Sequence, residues 1–236
     1  MKIQILRTNK QQSYIQDFDI PFEDITLLQT LEYIKSNIDS TLSFESNCRS
    51  GVCGSCALRV NKKEVLSCSY KIQKNDLIEP LNIKNYSVLK DLIIIPDNIN
   101  FNNIKLLHLT QDKYIKYTDL QQIEKATECI NCTSCQSSCP IYEVNGDFLA
   151  PFLQVKFLRY IDSNKHNIDQ IQSNAIWDCT MCGNCNMVCP AKIDIKGNIM
   201  KLRTLSIQQG FNDPNMMNNS FNLDFGFNPN SYNNFV

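Results

Sequence analysis

The cysteines are the residues whose type and spacing could do chemistry in this sequence. There are 12 of them, in three groups of four that occupy positions 48–68, 129–139 and 179–189. Thiolates bind zinc and iron–sulfur clusters, and cysteines also pair as disulfides. Residues 1–7 alternate like a strand and lack the basic region and apolar run of a secretory signal, so we expect a reducing compartment in which metal ligation outweighs disulfides.

The first group has the spacing of plant-type 2Fe-2S ferredoxins, C-x4-C-x2-C with a fourth cysteine further along the chain. Its predicted ligands are Cys48, Cys53, Cys56 and Cys68. Gly51 and Gly54 favour this interpretation, because backbone N–H groups must turn towards the sulfides and a Cβ would obstruct that approach. A zinc site of four thiolates is the alternative, although zinc sites usually pair two short knuckles.

The second and third groups both match the C-x2-C-x2-C-x3-C-P run of two-cluster ferredoxins. In that arrangement, the fourth cysteine of each run binds the cluster held by the other run. The sequence therefore predicts two 4Fe-4S clusters, with the ligand sets Cys129, Cys132, Cys135, Cys189 and Cys179, Cys182, Cys185, Cys139. Two zinc knuckles are the alternative for this pair of motifs.

The elements that must position the first group are predicted to be strands at 2–8, 57–60, 64–66 and 76–79, with one helix between them. Asp24 is the expected cap of this helix, in which Leu28, Leu31 and Ile34 recur at helical spacing. A mixed sheet crossed by a helix is an α+β architecture of the ferredoxin, or β-grasp, type. We assign this domain to residues 1–96.

Residues 97–210 are predicted to form an all-α domain of two-cluster bacterial ferredoxin type. Helices are expected from Thr118 or Asp119 towards Cys129, around 152–159, from 168 into Cys179, and from Ile195 to a stop at Gly210. An Asn-rich stretch from 96 to 103 separates the two domains. Residues 211–236 form an Asn- and Phe-rich tail that either docks on a partner or is disordered.

Composition excludes several classes of function. The 23 basic and 24 acidic residues give a net charge of −1, which leaves no polycationic surface for nucleic acid. The longest apolar run, Leu92-Ile93-Ile94-Ile95, is far shorter than the ~20 residues of a membrane span. The sequence has no G-x-G-x-x-G fingerprint or P-loop. Its histidines, His108 and His166, lie outside every motif and are expected to be surface or packing residues.

The order of these motifs resembles the iron–sulfur subunit of succinate dehydrogenase and fumarate reductase over roughly residues 1–210. The loop at 48–56, Val88-Leu89-Lys90-Asp91-Leu92 and Trp177-Asp178-Cys179-Thr180 are similar to that family. The resemblance implies electron transfer between an FAD-containing flavoprotein subunit and a membrane-anchor subunit that meets a quinone. It also implies a peripheral subunit, here expected at the cytoplasmic face, without a dicarboxylate site of its own.

Cys182 departs from the familiar members, which have a non-cysteine residue at this position and hold a 3Fe-4S cluster there. Its presence favours a second 4Fe-4S cluster, and resembles the branch with cysteine-rich anchor subunits and thiol-dependent fumarate reductases. A cubane has a lower potential than a three-iron centre, which favours a menaquinone-type quinone or a thiol partner. Val144 and Thr180 occupy the positions at which ubiquinone-linked members carry Trp and His.

Two other functions stay open at this point. Similar helical domains serve other flavoenzymes, such as thiol–disulfide or hydroxyacid oxidoreductases. A zinc-stabilised interaction protein is the alternative from a different class. The direction of the reaction is not fixed either, because succinate oxidation and fumarate reduction would use the same series of centres.

Overall fold

The computed structural model describes residues 1–8, 12–97, 117–145, 148–160, 168, 172 and 176–214. The strands are β1 (Lys2–Thr8), β2 (Ser13–Asp19), β3 (Ala57–Val60), β4 (Lys63–Leu66), β5 (Leu77–Glu79), β6 (Tyr86–Lys90) and β7 (Ile93–Pro96). The helices are α1 (Leu27–Asn37), α2 (Tyr117–Thr127), α3 (Ser134–Ser137), α4 (Pro140–Val144), α5 (Pro151–Tyr160), α6 (Asn184–Met187) and α7 (Ile195–Gln208).

Residues 1–97, here called the sheet unit, contain a five-stranded mixed sheet with the order β2-β1-β5-β3-β4. Strands β1 and β5 are parallel, whereas the other neighbours are antiparallel. Leu27, Leu31 and Ile34 of α1 pack with inward-facing residues of the sheet in one hydrophobic core. The predicted α+β class is confirmed by this arrangement of strands followed by a helical half.

Two strand pairs differ from the sequence prediction. Strand β2 was not predicted, since it is an edge strand in which Phe18 is the single buried side chain. The β6–β7 hairpin was also missed. It pairs in antiparallel fashion with an irregularity between Val88 and Lys90, so its alternation is interrupted.

Helix α1 begins at a different cap from the one predicted. Thr26 is the N-cap, because its hydroxyl accepts a hydrogen bond from the Gln29 N–H at 3.2 Å and the Gln29 side chain accepts one from the Thr26 N–H at 2.9 Å. Asp24 lies outside the helix with φ +64°, and it forms an exposed ion pair with Lys71. The prediction of Asp24 as the cap was therefore wrong by two residues.

A buried ion-pair network ties the sheet to the segment that leads into the first cysteine loop. The Arg7 guanidinium donates to Asp91 at 2.9 Å and to Asp39 at 2.6 Å. Asp91 is 2% exposed and also accepts hydrogen bonds from the backbone N–H groups of Thr8 and Ser43. The carboxylate of Asp91 thus joins β1, the β6–β7 turn and the approach to Cys48.

Residues 117–214, here called the helical unit, place most of the predicted helices correctly. Helix α2 runs towards Cys129, and α7 ends two residues before Gly210, which has φ +90°. The helix expected to run into Cys179 does not do so, because residues 176–178 form bends, and most of its span lies outside the described residues. The four- and five-residue helices α3, α4 and α6 are too short to give a periodic signal.

Several predictions fall on parts of the chain that the structure does not describe. His108, His166, the stretch from 98 to 116 and the tail from 215 onwards are among them. The proposed domain boundary at residue 96 consequently stays a prediction. Within the described ranges, no helix combines the length and apolar character needed to cross a membrane.

Candidate iron–sulfur centres

The loop at 48–56 directs backbone N–H groups at the first predicted ligand. The N–H groups of Ser50 and Val52 both donate to Cys48 Sγ at 3.4 Å. Hydrogen bonds from the Ser50 backbone and from the Cys53 thiol lower the pKa of Cys48 to about 6. Since N–H donors stabilise thiolate, Cys48 is prepared to act as a ligand near neutral pH.

Two of the other three cysteines, Cys53 and Cys56, belong to the same loop, and Cys68 lies near them. The Ser55 hydroxyl donates to Cys53 Sγ at 3.3 Å, and Cys56 is buried just before β3. Burial and the neighbouring Cys56 raise the pKa of Cys68 to about 11. The four sulfurs therefore form one group, in which Cys68 must release a proton when it binds a metal.

Gly51 and Gly54 both have φ +77°, a conformation that favours glycine. The protein atoms that surround the two glycines differ. A Cβ on Gly51 would meet nothing within 4 Å, whereas one on Gly54 would lie 2.7 Å from the carbonyl oxygen of Ile130. Gly51 is thus required for its backbone angle, and Gly54 for both its angle and its lack of a side chain.

The second predicted ligand set is brought together around a cavity in the helical unit. The lining of this small cavity includes Cys129, Cys132, Cys135 and Cys189. Burial raises the pKa of Cys135 well above the ordinary value, and the nearby thiolates of Cys132, Cys129 and Cys189, together with Cys185 of the other set, contribute to this shift. The Ile193 N–H donates to Cys189 Sγ at 3.4 Å.

The third set is formed by Cys139, Cys179, Cys182 and Cys185. Burial raises the pKa of Cys185 to about 12, with further contributions from the thiolates of Cys179, Cys139 and Cys182. The Met181 N–H donates to Cys179 Sγ at 3.4 Å. Cys182 is exposed, whereas Cys185 is buried. Each run of four cysteines thus contributes its last member to the set of the other run.

These three sets fit iron–sulfur clusters better than single ions. Their donors are all sulfur, the cavity at Cys129 is walled by apolar side chains such as Phe152, Val155 and Ile195, and backbone N–H groups point at sulfur. The assignment of each cysteine as a ligand stays a prediction.

Arg203 is a site residue that the sequence did not reveal. Its guanidinium donates to the carbonyl oxygens of Ile176 at 2.8 Å, Trp177 at 3.1 Å and Cys179 at 2.7 Å, and lies over the Trp177 ring. Arg203 therefore holds the irregular segment that delivers Cys179. An arginine beside the apolar stripe of α7 is a weak signal in the sequence, and it names no partner.

Trp177 also has a defined environment. Its indole N–H donates to the Gln172 side chain at 3.0 Å, and Gln172 donates to the Ser206 hydroxyl at 2.8 Å. Trp177 is 6% exposed and belongs to the core of the helical unit, against which Cys179 packs. It therefore excludes water from that side of the third set.

Comparison with known proteins agrees with both halves of this description. A 2Fe-2S iron-sulfur cluster binding domain matches residues 2–102, and a 4Fe-4S dicluster domain matches residues 125–193. These matches confirm the predicted cofactor types, one 2Fe-2S cluster and a pair of 4Fe-4S type centres.

Named relatives match most of the chain. The fumarate reductase iron-sulfur subunit of Haemophilus influenzae is 29% identical over 82% of this chain and 88% of its own length. A subunit of the CoM/CoB fumarate reductase of Methanothermobacter marburgensis is 31% identical over 85% of this chain. The chain spans only 42% of that relative, and less than half of two other curated iron-sulfur proteins at 32% and 33% identity.

The fold is shared with a chain of the Mycobacterium smegmatis Sdh1 complex in the apo form. The TM-score is 0.76 at 18% sequence identity, and the match covers 89% of this chain and 97% of the other. The arrangement of a sheet unit followed by a helical unit is therefore common to both chains.

Proposed function

We propose that this chain, which is a homologue of the iron–sulfur subunits of fumarate reductase and succinate dehydrogenase, is the electron-transfer subunit of an oxidoreductase complex of that type. One observation carries the proposal: consecutive cysteine sets lie next to each other. Gly54 of the first loop abuts Cys132, Cys189 lies near Cys132, and Cys139 lies near Cys179 and Cys182.

The predicted ligand sets have separate tasks in this proposal. Cys48, Cys53, Cys56 and Cys68 hold the 2Fe-2S cluster, and the two crossed sets of the helical unit hold the others. Iron–sulfur clusters supply reversible one-electron transfer when bound. The chain itself supplies thiolates, N–H donors to sulfur from residues such as Ser50, Met181 and Ile193, and apolar walls that exclude water.

Cys182 is proposed as the fourth ligand of the third set, which makes its cluster 4Fe-4S. Cys182 is exposed, so the corner of the cluster that it would hold would face solvent or a partner. With three complete clusters, anaerobically purified chain should contain about 10 Fe. A wild-type value near ~9, with the paramagnetic signal of an oxidised 3Fe-4S cluster, would contradict the role of Cys182.

The Cys182→Ala variant tests the same role directly. We expect it to lose about one iron and to gain the oxidised 3Fe-4S signal, because three thiolates stay in place to hold three irons. Thr180→Ala, at an exposed neighbouring position in the same loop, is the matched control and should keep the wild-type iron content and spectrum.

The proposed partners follow from the named relatives, which are subunits of fumarate reductase and succinate dehydrogenase complexes. The chain would exchange electrons with an FAD-containing flavoprotein subunit on one side. A membrane-anchor subunit, of the cysteine-rich kind found in the thiol-dependent branch, would lie on the other side, with the chain at the cytoplasmic face. A menaquinone-type quinone is the preferred acceptor or donor.

A thiol partner is the second candidate, favoured by the 31% identity to a subunit of a CoM/CoB fumarate reductase. Anaerobic purification from detergent-solubilised membranes distinguishes these cases. Copurified flavoprotein and anchor chains with activity towards a menaquinol analogue would support the first. Activity with thiols alone would support the second, and a colourless zinc-containing chain without partners would contradict electron transfer altogether.

A further inference from the structure

The sheet unit and the helical unit touch at Gly54. This residue is buried, and it lies between two predicted ligands, Cys53 and Cys56. A Cβ built on it would lie 2.9 Å from both the Cα and the Cβ of Cys132, in addition to its contact with Ile130. The backbone of the first cysteine loop therefore touches a ligand of the neighbouring set directly.

A hydrogen-bonded junction also joins the same two units. The Ser137 hydroxyl donates to the Glu64 carboxylate of β4 at 2.8 Å and accepts the N–H of Asn82 at 3.2 Å. Ser137 follows Cys135 by two residues in α3. The helical unit is thus fixed to the sheet close to the point at which Gly54 meets Cys132.

We propose that Gly54 is a positioning residue that brings the first cysteine loop into contact with Cys132, so that single electrons pass between the first and second centres across this contact. The inference rests on the proposed function. One electron leaves one centre as it enters the other, and no bond or proton is exchanged. Any side chain at position 54 would push the two segments apart, because the atoms in its way are mostly backbone.

Gly51 offers a matched control for this role. It has the same φ of +77° in the same loop, so an alanine there meets the same intrinsic backbone strain. Among the protein atoms, its Cβ would meet nothing within 4 Å. The difference between Gly54→Ala and Gly51→Ala therefore isolates the contact with Cys132 from the conformational requirement of the loop.

The experiment uses the purified complex and compares wild type, Gly54→Ala and Gly51→Ala. Power saturation of the EPR signal of the reduced 2Fe-2S cluster measures its magnetic coupling to the neighbouring reduced centre. We expect Gly54→Ala to lose the fast spin relaxation and to equilibrate electrons more slowly between the two centres, with the iron content retained. Gly51→Ala shares the backbone strain of the loop without the contact, so it should change both properties less than Gly54→Ala does.

Hydrogen exchange of residues 129–133 gives a readout that does not depend on the clusters. We expect faster exchange there in Gly54→Ala and not in Gly51→Ala. If Gly54→Ala loses its iron, Ser137→Ala weakens the same junction without entering the first loop, and its relaxation and exchange should shift in the same direction.

The outcomes separate this proposal from the function on which it rests. Indistinguishable behaviour of Gly54→Ala and Gly51→Ala, in a wild type whose centres are magnetically coupled, would overturn the role of Gly54 alone. A wild type with no iron would overturn the proposed function together with electron transfer at this contact.

Discussion

The two units of the chain differ in what their hydrophobic cores are made of. Across the described residues, the main core of the sheet unit has no cysteine and consists of aliphatic and aromatic side chains such as Ile3, Leu31 and Ile78. The core of the helical unit includes Cys135 and Cys185 as buried members, with Cys129, Cys179 and Cys189 packed against it. The main core of the sheet unit is separate from its cysteines, whereas the core of the helical unit includes its predicted ligands.

Helix lengths lead to the same distinction. Helices α3, α4 and α6 have four or five residues each, far below the ~12 residues at which an isolated helix becomes even marginally stable in water. Asn131 and Thr133, both with φ +58°, add backbone strain in the same motif. Metal ligation must therefore contribute to the stability of the helical unit, as it does in other small metal-bound folds.

Removal of the metal should produce the largest difference in stability between the two units. After anaerobic treatment with a chelator and oxidant, we expect the amides of α7 to lose their protection against hydrogen exchange, because the packing of α7 on Cys135 and Cys185 is lost. The amides of β1 and β3 should stay protected. Equal loss in both units, measured by mass spectrometry, would contradict the difference between the two cores.

Asp91→Ala should instead destabilise the sheet unit. It removes a buried partner of Arg7 and leaves two backbone donors without an acceptor, so we expect a loss of about 3 kcal/mol in the free energy of unfolding of the sheet unit. Chemical denaturation of the anaerobic holoprotein provides the measurement. Asp17→Ala, which removes an exposed ion pair with Lys2, is the control and should change stability little.

Arg203→Met should act on the helical unit with a smaller effect. It removes three charge-assisted hydrogen bonds to the carbonyl groups of residues 176, 177 and 179, and we expect a cost of about 2 kcal/mol. The rate of iron loss from the anaerobic protein should rise, because the segment that delivers Cys179 is held less firmly. Lys201→Met, at an exposed position of the same helix, is the control and should leave both quantities near their wild-type values.

The smallest predicted effect is a pH dependence in the sheet unit. Burial and the hydrogen bond to Asp76 raise the pKa of Tyr70 to about 12, above the ordinary value of 10.0. The folded state therefore keeps a proton that the unfolded state loses. This contribution is fully present below a pH of about 10 and is lost as the pH rises towards about 12.

Tyr70→Phe checks the sign of that dependence. The wild type should lose stability relative to the variant as the pH rises from about 10 to about 12, because only the wild type has a phenol that the folded state keeps neutral. Denaturation at several pH values measures this change. A wild type that gains stability relative to the variant over the same range would contradict the assignment.

The cysteine spacing allowed the grouping of the cysteines to be predicted, while their role as ligands stays a prediction. It predicted which cysteines would come together, including the exchange of Cys139 and Cys189 between sets. The spacing of the cysteines does not indicate, however, which residues from distant parts of the chain lie close to them. The contact of Gly54 with Cys132 and the hydrogen bonds of Arg203 join residues that lie far apart in the chain, and no local pattern records them.

The fold was predictable where buried side chains recur at regular spacing in the sequence, as in β1 and along α1. It was not predictable where polar groups set the conformation. Thr26 rather than Asp24 caps α1 because Gln29 completes the capping box, and two acceptable cap residues stood within three positions. The edge strand β2 follows its neighbour β1 through backbone pairing, with little burial of its own.

The exchange of Cys139 and Cys189 between the two runs also has a consequence for biosynthesis. Fifty residues separate these positions in the chain, so neither predicted donor set would be complete until the segment 179–189 has left the ribosome. The helical unit would consequently complete its fold late in synthesis, because each predicted set needs cysteines from both runs. A ribosome-bound chain that stops before Cys179 would hold the four thiols of the second run with nothing to complete them.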